Sequence, residues 1–292
     1  MACIRSLKVS KVNTLVRICA AYFSPTGNAR KLCLALAPAL CESMGLAMSL
    51  SPTFLDLTPA AARREHVTFG PGELLLLALP VYAGRLPNKI VPDLKACLSS
   101  DGAWAIPLVT YGNRDFGDAL SELCLLLREA GFQLPAAAAL VGEHAFSQKL
   151  ACGRPDVQDL SELKAFAKTV APVLWQGNFP DVVTSGNTPP GPYYTPLQED
   201  GSPANFLKAK PQTDPELCTA CGLCAELCPM ESISGEDPVE IKGICIKCMA
   251  CVRNCPTGAK SFTDEAFLSH VRMLEKNYRQ RAANRFFLAE IT

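Results

Sequence analysis

Apolar positions between residues 15 and 175 fall into two alternating patterns. Continuous apolar runs, LVRICAAYF (15–23), ELLLLALPVY (73–82) and AWAIPLVTY (103–111), read as strands buried on both faces. A weaker run, AMSLSPTFLDL (47–57), and an alanine-rich one, AAAALVGEHAF (136–146), read as a second and a fifth strand. Stretches of helical period separate them: NARKLCLALAPALCESM (28–44), LPNKIVPDLKACL (86–98), FGDALSELCLLLREAGF (116–132) and PDVQDLSELKAFAKTVAPVLW (155–175). Gly131 is the natural stop of the third helix and Asp156 the natural cap of the fourth. Strands that alternate with helices predict an α/β fold with a five-stranded parallel doubly wound sheet. Ligands of such sheets sit outside the carboxyl ends of the strands.

The pattern dissolves after residue 176. Residues 177–212 are rich in Pro, Gly and Ser, which forbids regular helix and marks a domain junction. Phe179, Tyr193, Tyr194, Phe206 and Leu207 give this connector apolar handles, so it is expected to be an ordered strap. A small α+β unit follows over 213–262. The tail, 263–292, reads as a helix capped by Thr263 or Asp264, with a packing stripe of Phe267, Val271, Leu274 and Tyr278. Arg279, Arg281 and Arg285 are expected on its solvated face rather than in a docking patch. The domains expected are therefore 1–176, the connector 177–212, 213–262 and the C-terminal helix 263–292.

Composition narrows the functional classes. The chain has 292 residues, 49% hydrophobic and 19% charged, with a formal net charge of zero. No electrostatic footprint for nucleic acid or for an anionic membrane follows from that balance. The longest strongly apolar stretch, Leu74 to Val81, is far shorter than the roughly 20 residues of a spanning helix, so no membrane insertion is expected. The basic N-terminus lacks the apolar segment and cleavage site of a signal peptide, and a cytoplasmic location is expected. Cys3, Cys19, Cys33, Cys41, Cys97, Cys124 and Cys152 stand singly, mostly in apolar segments, as expected of buried reduced thiols.

The remaining eight of the fifteen cysteines form two copies of one spacing. Cys218, Cys221, Cys224 and Cys228 stand in C-x2-C-x2-C-x3-C-P, and Cys245, Cys248, Cys251 and Cys255 repeat it 27 residues on. This is the run of bacterial two-cluster ferredoxins, in which the fourth cysteine ligates the other cluster. Structural zinc uses paired C-x2-C knuckles instead. Two 4Fe–4S clusters are expected. By resemblance to these ferredoxins, one takes Cys218, Cys221, Cys224 and Cys255, the other Cys245, Cys248, Cys251 and Cys228.

Three loops at predicted strand ends carry the other chemistry. Ser24-Pro25-Thr26-Gly27-Asn28 leads into the first helix and can nest an anion on backbone N–H groups. It is neither a Walker A loop nor a GxGxxG fingerprint. Tyr82 with Gly84 follows the third strand, and Tyr111 with Gly112 and Asn113 follows the fourth. Each pair offers an aromatic ring and a close backbone approach to a planar ligand. Together these loops resemble those of flavodoxin. The resemblance implies FMN, with Ser24, Thr26, Gly27 and Asn28 at its phosphate, Tyr82 and Tyr111 at its ring, and Gly84, Gly112 and Asn113 at its polar edge. Ala29 departs from that pattern where a last hydroxyl often stands. His144, Ser147 and Arg154 are within reach of the same edge, with His144 and Arg154 the catalytic candidates.

The whole chain, from about residue 15 to 262, resembles a family of flavodoxin–ferredoxin fusion proteins of anaerobes, the EFR-type ferredoxins. The resemblance implies electron transfer between low-potential one-electron carriers and a two-electron acceptor, through two 4Fe–4S clusters and FMN. Its partner would be a redox protein, a ferredoxin-type donor or an acceptor reductase, with a small-molecule acceptor also open. Two other readings stand beside it. One is a flavin-dependent reductase of a specific small organic substrate, fed by its clusters. The other is a ferredoxin whose first domain binds no flavin and serves for docking.

Overall fold

The computed structural model describes residues 15–46 and 48–290. In chain order its elements are β1 (Arg17–Tyr22), α1 (Asn28–Ser43), β2 (Thr53–Asp56), β3 (Val67–Phe69), β4 (Glu73–Pro80), α2 (Val91–Cys97), β5 (Leu98–Ser100), β6 (Trp104–Tyr111), α3 (Ala119–Glu129), β7 (Ala136–Val141) and α4 (Val157–Gln176). The second unit adds β8 (Gln212–Thr213), α5 (Leu223–Glu226), α6 (Ala250–Arg253) and β9 (Lys260–Ser261). The tail forms α7 (Glu265–Asn277) and β10 (Arg285–Leu288).

The main sheet has the order β10-β7-β6-β4-β1-β2. β2, β1, β4, β6 and β7 are parallel, so the five expected strands lie in the flavodoxin-like order 2-1-3-4-5. The uninterrupted apolar runs have the expected cause: β6 is buried at all eight positions and β4 at six of eight. Side chains alternate between two cores. Leu74, Leu76, Ile106 and Leu108 face α1 and α4, whereas Leu75, Leu77, Leu79 and Val109 face α2 and α3. Each such leucine, fully buried, contributes roughly 1.5–3 kcal/mol.

Several boundaries differ from expectation. α2 begins only at Val91, because Pro92 fits the first turn of a helix and not its interior. β7 ends at Val141 rather than running to residue 146, because Gly142 turns the chain against the Asn28 side chain. β3 and β5 form a small parallel pair outside the main sheet, which no period in the sequence marks. The second expected strand begins at residue 47, which lies outside the described residues, and is strand only over Thr53–Asp56. Cys19, Cys33, Cys41, Cys97 and Cys124 are buried, but Cys152 is exposed, and Cys3 lies outside the described residues.

The tail is not one helix. Asp264 caps α7 by accepting the Phe267 N–H at 2.9 Å, and α7 stops at Asn277. The chain then doubles back, and β10 pairs antiparallel with β7. The main sheet thereby has a sixth strand. An uncovered β7 would expose a row of unpaired backbone groups, and β10 satisfies them. Phe286 packs into one core, against Phe166, and Phe287 against the other. Arg281 is neither on a solvated helix face nor free for docking: it pairs with Asp156 and Asp159.

The connector is a strap, as its apolar handles imply. Tyr194 N–H donates to Ala83 O at 2.8 Å, Tyr193 Oη to Leu86 O at 2.8 Å, and Val182 is fully buried. The second unit repeats itself in backbone as in sequence. Ala220 and Lys247, Gly222 and Met249, and Glu231 and Gly258 stand 27 residues apart in pairs, and all six have positive φ. No helix among the described residues is long and apolar enough to cross a membrane.

Candidate functional site: two cysteine cavities beside a roofed cavity

The eight repeated cysteines sort into two cavities. One is lined by Cys218, Cys221, Cys224 and Cys255, the other by Cys228, Cys245, Cys248 and Cys251. The local cause is the left-handed turn before each short helix. It sends the third cysteine of each run, on α5 or α6, toward the first two. The fourth cysteine then leaves in the direction of the other run. Among the described residues no group of His, Cys, Asp and Glu is set to hold a single metal ion.

The donor chemistry of these cavities fits an anionic cluster. Thiolates that ligate iron place negative charge in a poorly solvated place. Lys260 lines the first cavity, is 3% exposed, and donates from Nζ to Thr213 Oγ1 and to Pro238 O. Among the described residues no carboxylate pairs with it, and the neighbouring sulfurs of the cavity offer a counterpart to its charge. Its repeat mate is Ile233, which lines the second cavity and is apolar. The sequence reading missed Lys260; the 27-residue repeat is the signal that exposes it as the odd member.

The two cavities differ in position. The second adjoins the first domain, since Cys248 also lines a cavity with Thr26, Asn28 and Tyr82. Burial first, then the Cys248 and Cys245 sulfurs, pushes the Tyr82 phenol well above its usual range. The first is the outer one, with Cys221 exposed.

The flavin-type loops converge at the carboxyl ends of the strands. α1 starts at Gly27, whose φ of 89° is left-handed and whose missing Cβ faces open space. Gly27 itself has no side chain to cap the helix and no acid stands in its first turn. Ser24 Oγ accepts only the Arg30 N–H, at 3.0 Å. The Asn28 and Ala29 N–H groups have no partner among the described residues, and Asn28 lines a cavity of about 50 Å³ with Pro25 and Thr26. Tyr82, Tyr111 and Gly112 line both this cavity and a larger neighbour of about 220 Å³. Gly84 lines the larger one. An anion-accepting helix start continuous with an aromatic-lined cavity fits the phosphate and ring of FMN.

Not every predicted residue is free for a ligand. Asn28 donates from Nδ2 to Glu143 O at 2.8 Å. Tyr111 Oη donates to Ala283 O at 2.7 Å. Asn113 is buried and lines neither cavity: it donates to Tyr278 O and Gln280 O and accepts the Ala282 N–H. Arg154 is likewise held away, paired with buried Asp159 and donating to Ala282 O. Ser147 is bound to Glu275 of α7. The returning tail takes up Tyr111, Asn113 and Arg154, which the loops alone could not reveal. Gly112 is required by His144, whose Cδ2 would stand 2.4 Å from an added Cβ.

His144 does line the larger cavity. Burial, then the charges of His270, Arg114 and Arg253, lowers its pKa to about 4. Its Nδ1 accepts the Phe146 N–H at 3.1 Å, so the neutral ring carries its proton on Nε2. At neutral pH it can donate a hydrogen bond but carries no charge.

The larger cavity has a roof that no loop motif announced. Tyr194, Pro196 and Phe206 of the strap, His270 and Leu274 of α7, and Lys247 beside the second cysteine set close over it. Phe206 packs on His270 with centroids 5.4 Å apart. Arg114 lies over the Tyr194 ring at 3.9 Å.

Residues 211–234 match a family described as 4Fe-4S binding domain, and residues 242–258 match a second family of the same description. No curated protein matches the chain. Among solved structures, a flavodoxin from the domain Archaea is 16% identical, with a TM-score of 0.38 over 55% of this chain and 99% of that one. The two-electron reduced flavodoxin of Megasphaera elsdenii is 15% identical, with a TM-score of 0.33 over 53% and 98%. Rubredoxin oxygen:oxidoreductase of the anaerobe Desulfovibrio gigas is 14% identical, with a TM-score of 0.34. This chain covers 56% of itself but only 37% of that protein. At these TM-scores the fold rests on the strand order of the sheet itself. The chain is a fusion of a flavodoxin-like α/β domain with 4Fe-4S ferredoxin segments.

Proposed function

We propose that this chain is an electron-transfer protein that holds two 4Fe–4S clusters and FMN, and that it links low-potential one-electron carriers to a two-electron acceptor. When bound, the clusters exchange single electrons and the flavin can exchange one or two. One observation carries the reading: Cys248 of the inner cysteine set lines the same cavity as Thr26, at the anion-accepting helix start, and Tyr82.

The chain's own residues divide the work. Cys218, Cys221, Cys224 and Cys255 hold the outer cluster, where Cys221 is open to a redox partner such as a ferredoxin-type donor. Cys228, Cys245, Cys248 and Cys251 hold the inner one. Ser24 to Asn28 seat the flavin phosphate, with Ala29 donating only from its backbone. Tyr82 and Tyr111 flank the ring. The EFR-type resemblance agrees with this arrangement, and the domain limits proposed are 1–176, 177–212, 213–262 and 263–292, with the tail packed on both units.

The roof favours a small acceptor over a protein acceptor at the flavin. Strap and α7 close over the ring side, and the part of the cavity toward Arg114 and Tyr194, beyond the flavin, is the part left to a small molecule. His144 then offers its Nε2–H to the bound molecule, and the surrounding rings exclude water.

The test is anaerobic purification followed by quantification of FMN against iron and acid-labile sulfide. One FMN with eight irons per chain is expected. Full iron with no flavin, even after incubation with excess FMN, would reduce the first domain to a docking unit.

A further inference from the structure

Arg114 is the unused cation of the roofed cavity. It is half-buried, and its guanidinium makes no hydrogen bond or ion pair to any described residue. It lies over the face of Tyr194 at 3.9 Å. A guanidinium presents five N–H donors in a fork that matches a carboxylate, and stacking on an aromatic ring fixes the plane of that fork. The other lining cation, Lys247, is engaged with Leu207 O at 2.8 Å. The one lining carboxylate, Asp115, is exposed and accepts the Gly117 N–H.

The remaining walls select a flat, apolar body. Tyr82, Phe146 and Phe206 present rings and Ile246 and Leu274 aliphatic surface. Drug-sized ligands occupy roughly 300–1,000 Å³, and the flavin ring shares this cavity of about 220 Å³, so only a small flat body fits beside it. Two imidazoles complete the polar groups. His144 carries a proton on Nε2, and His270 donates from Nδ1 to Leu197 O at 2.8 Å, which leaves its Nε2 as an acceptor.

We propose that the roofed cavity binds a small planar organic carboxylate, anchored by Arg114 through its carboxylate oxygens. This rests on the small-acceptor reading above and names the class of that molecule. A neutral isostere leaves the guanidinium without an anion and is discriminated against for that reason.

The experiment uses the purified holoprotein, with cinnamate and cinnamyl alcohol as probes in equilibrium dialysis. FMN and iron content are measured on the same samples. Cinnamate is expected to bind at least tenfold more tightly than cinnamyl alcohol. Arg114→Gln is expected to abolish that preference at unchanged FMN and iron, and Arg114→Lys to restore part of it. Equal binding of the two probes, or no binding of cinnamate to flavin-loaded protein, overturns the proposal without the need for a variant. Loss of FMN from Arg114→Gln overturns it too, because Arg114 then serves the cofactor. Cinnamate preference in protein that takes up no FMN supports the carboxylate site and sinks the flavin reading instead.

Discussion

Lys260 shows how one residue can make two similar cavities unequal. It occupies the repeat position of Ile233, yet it is nearly fully buried beside Cys255 with only neutral oxygen partners. Reduction adds negative charge to a cluster, so a fixed ammonium nearby favours the reduced form. Lys260→Met, which keeps the volume and removes the charge, is expected to lower the midpoint potential of the outer cluster more than that of the inner one. A redox titration followed by electron paramagnetic resonance reads both. Unchanged potentials with full iron would show that the ammonium is screened from the clusters. His144 is a residue whose role shifts with its surroundings. The sequence marks it as a proton donor, but burial, and then the charges of His270, Arg114 and Arg253, keep it neutral at physiological pH.

At the scale of elements, β10 has the widest reach. It covers the β7 edge, and the segment leading into it engages Asn113, Arg154 and Asp159. Deletion of residues 285–292 removes the edge pairing and the packing of Phe286 and Phe287. The expected loss is on the order of 2–4 kcal/mol, from two partly buried rings and the unpaired strand. Denaturant unfolding and size-exclusion chromatography should show a lower midpoint and association through the bare edge. A monomer of undiminished stability would mean that β10 is an ornament of the sheet. Sequence period alone misread this tail, because NYRQRAANRFFLAE satisfies helical spacing as well as it satisfies a turn and a strand. The choice is made by the distant β7 edge, where Phe286 pairs with Ala138.

For the molecule as a whole, two arginines fix the two units together. Arg253 on α6 donates to Ala145 O, His144 O and Ser147 O and pairs with Glu143 at 2.8 Å. Arg63 reaches the other way, from the first domain, to Pro229 O at 2.6 Å, one residue past Cys228. Both clamps act beside the inner cysteine set. Arg253→Ala leaves three carbonyls and a carboxylate without that donor, a loss of about 1–3 kcal/mol. Hydrogen exchange across residues 143–147 should rise at least tenfold while β4 and β6 stay protected. Equal protection in variant and parent would show that the strap and α7 alone hold the interface.

The sequence by itself determined the elements whose chemistry is local. Three continuous apolar runs specify the buried strands of a parallel sheet, because only strands covered on both faces tolerate such runs. The cysteine spacing sets the convergence of the first three cysteines of each run, because a left-handed turn leads into a one-turn helix there. The turn into α1 at Gly27 was legible for the same reason. Tertiary structure alone decided what lies over the loops. The roof joins residues from Tyr82 to Leu274, and the tail claims Asn113 and Arg154 by backbone acceptors that carry no sequence signature. A carbonyl is the same on every residue, so which one a buried side chain meets is set by the fold and not by the identity of the partner.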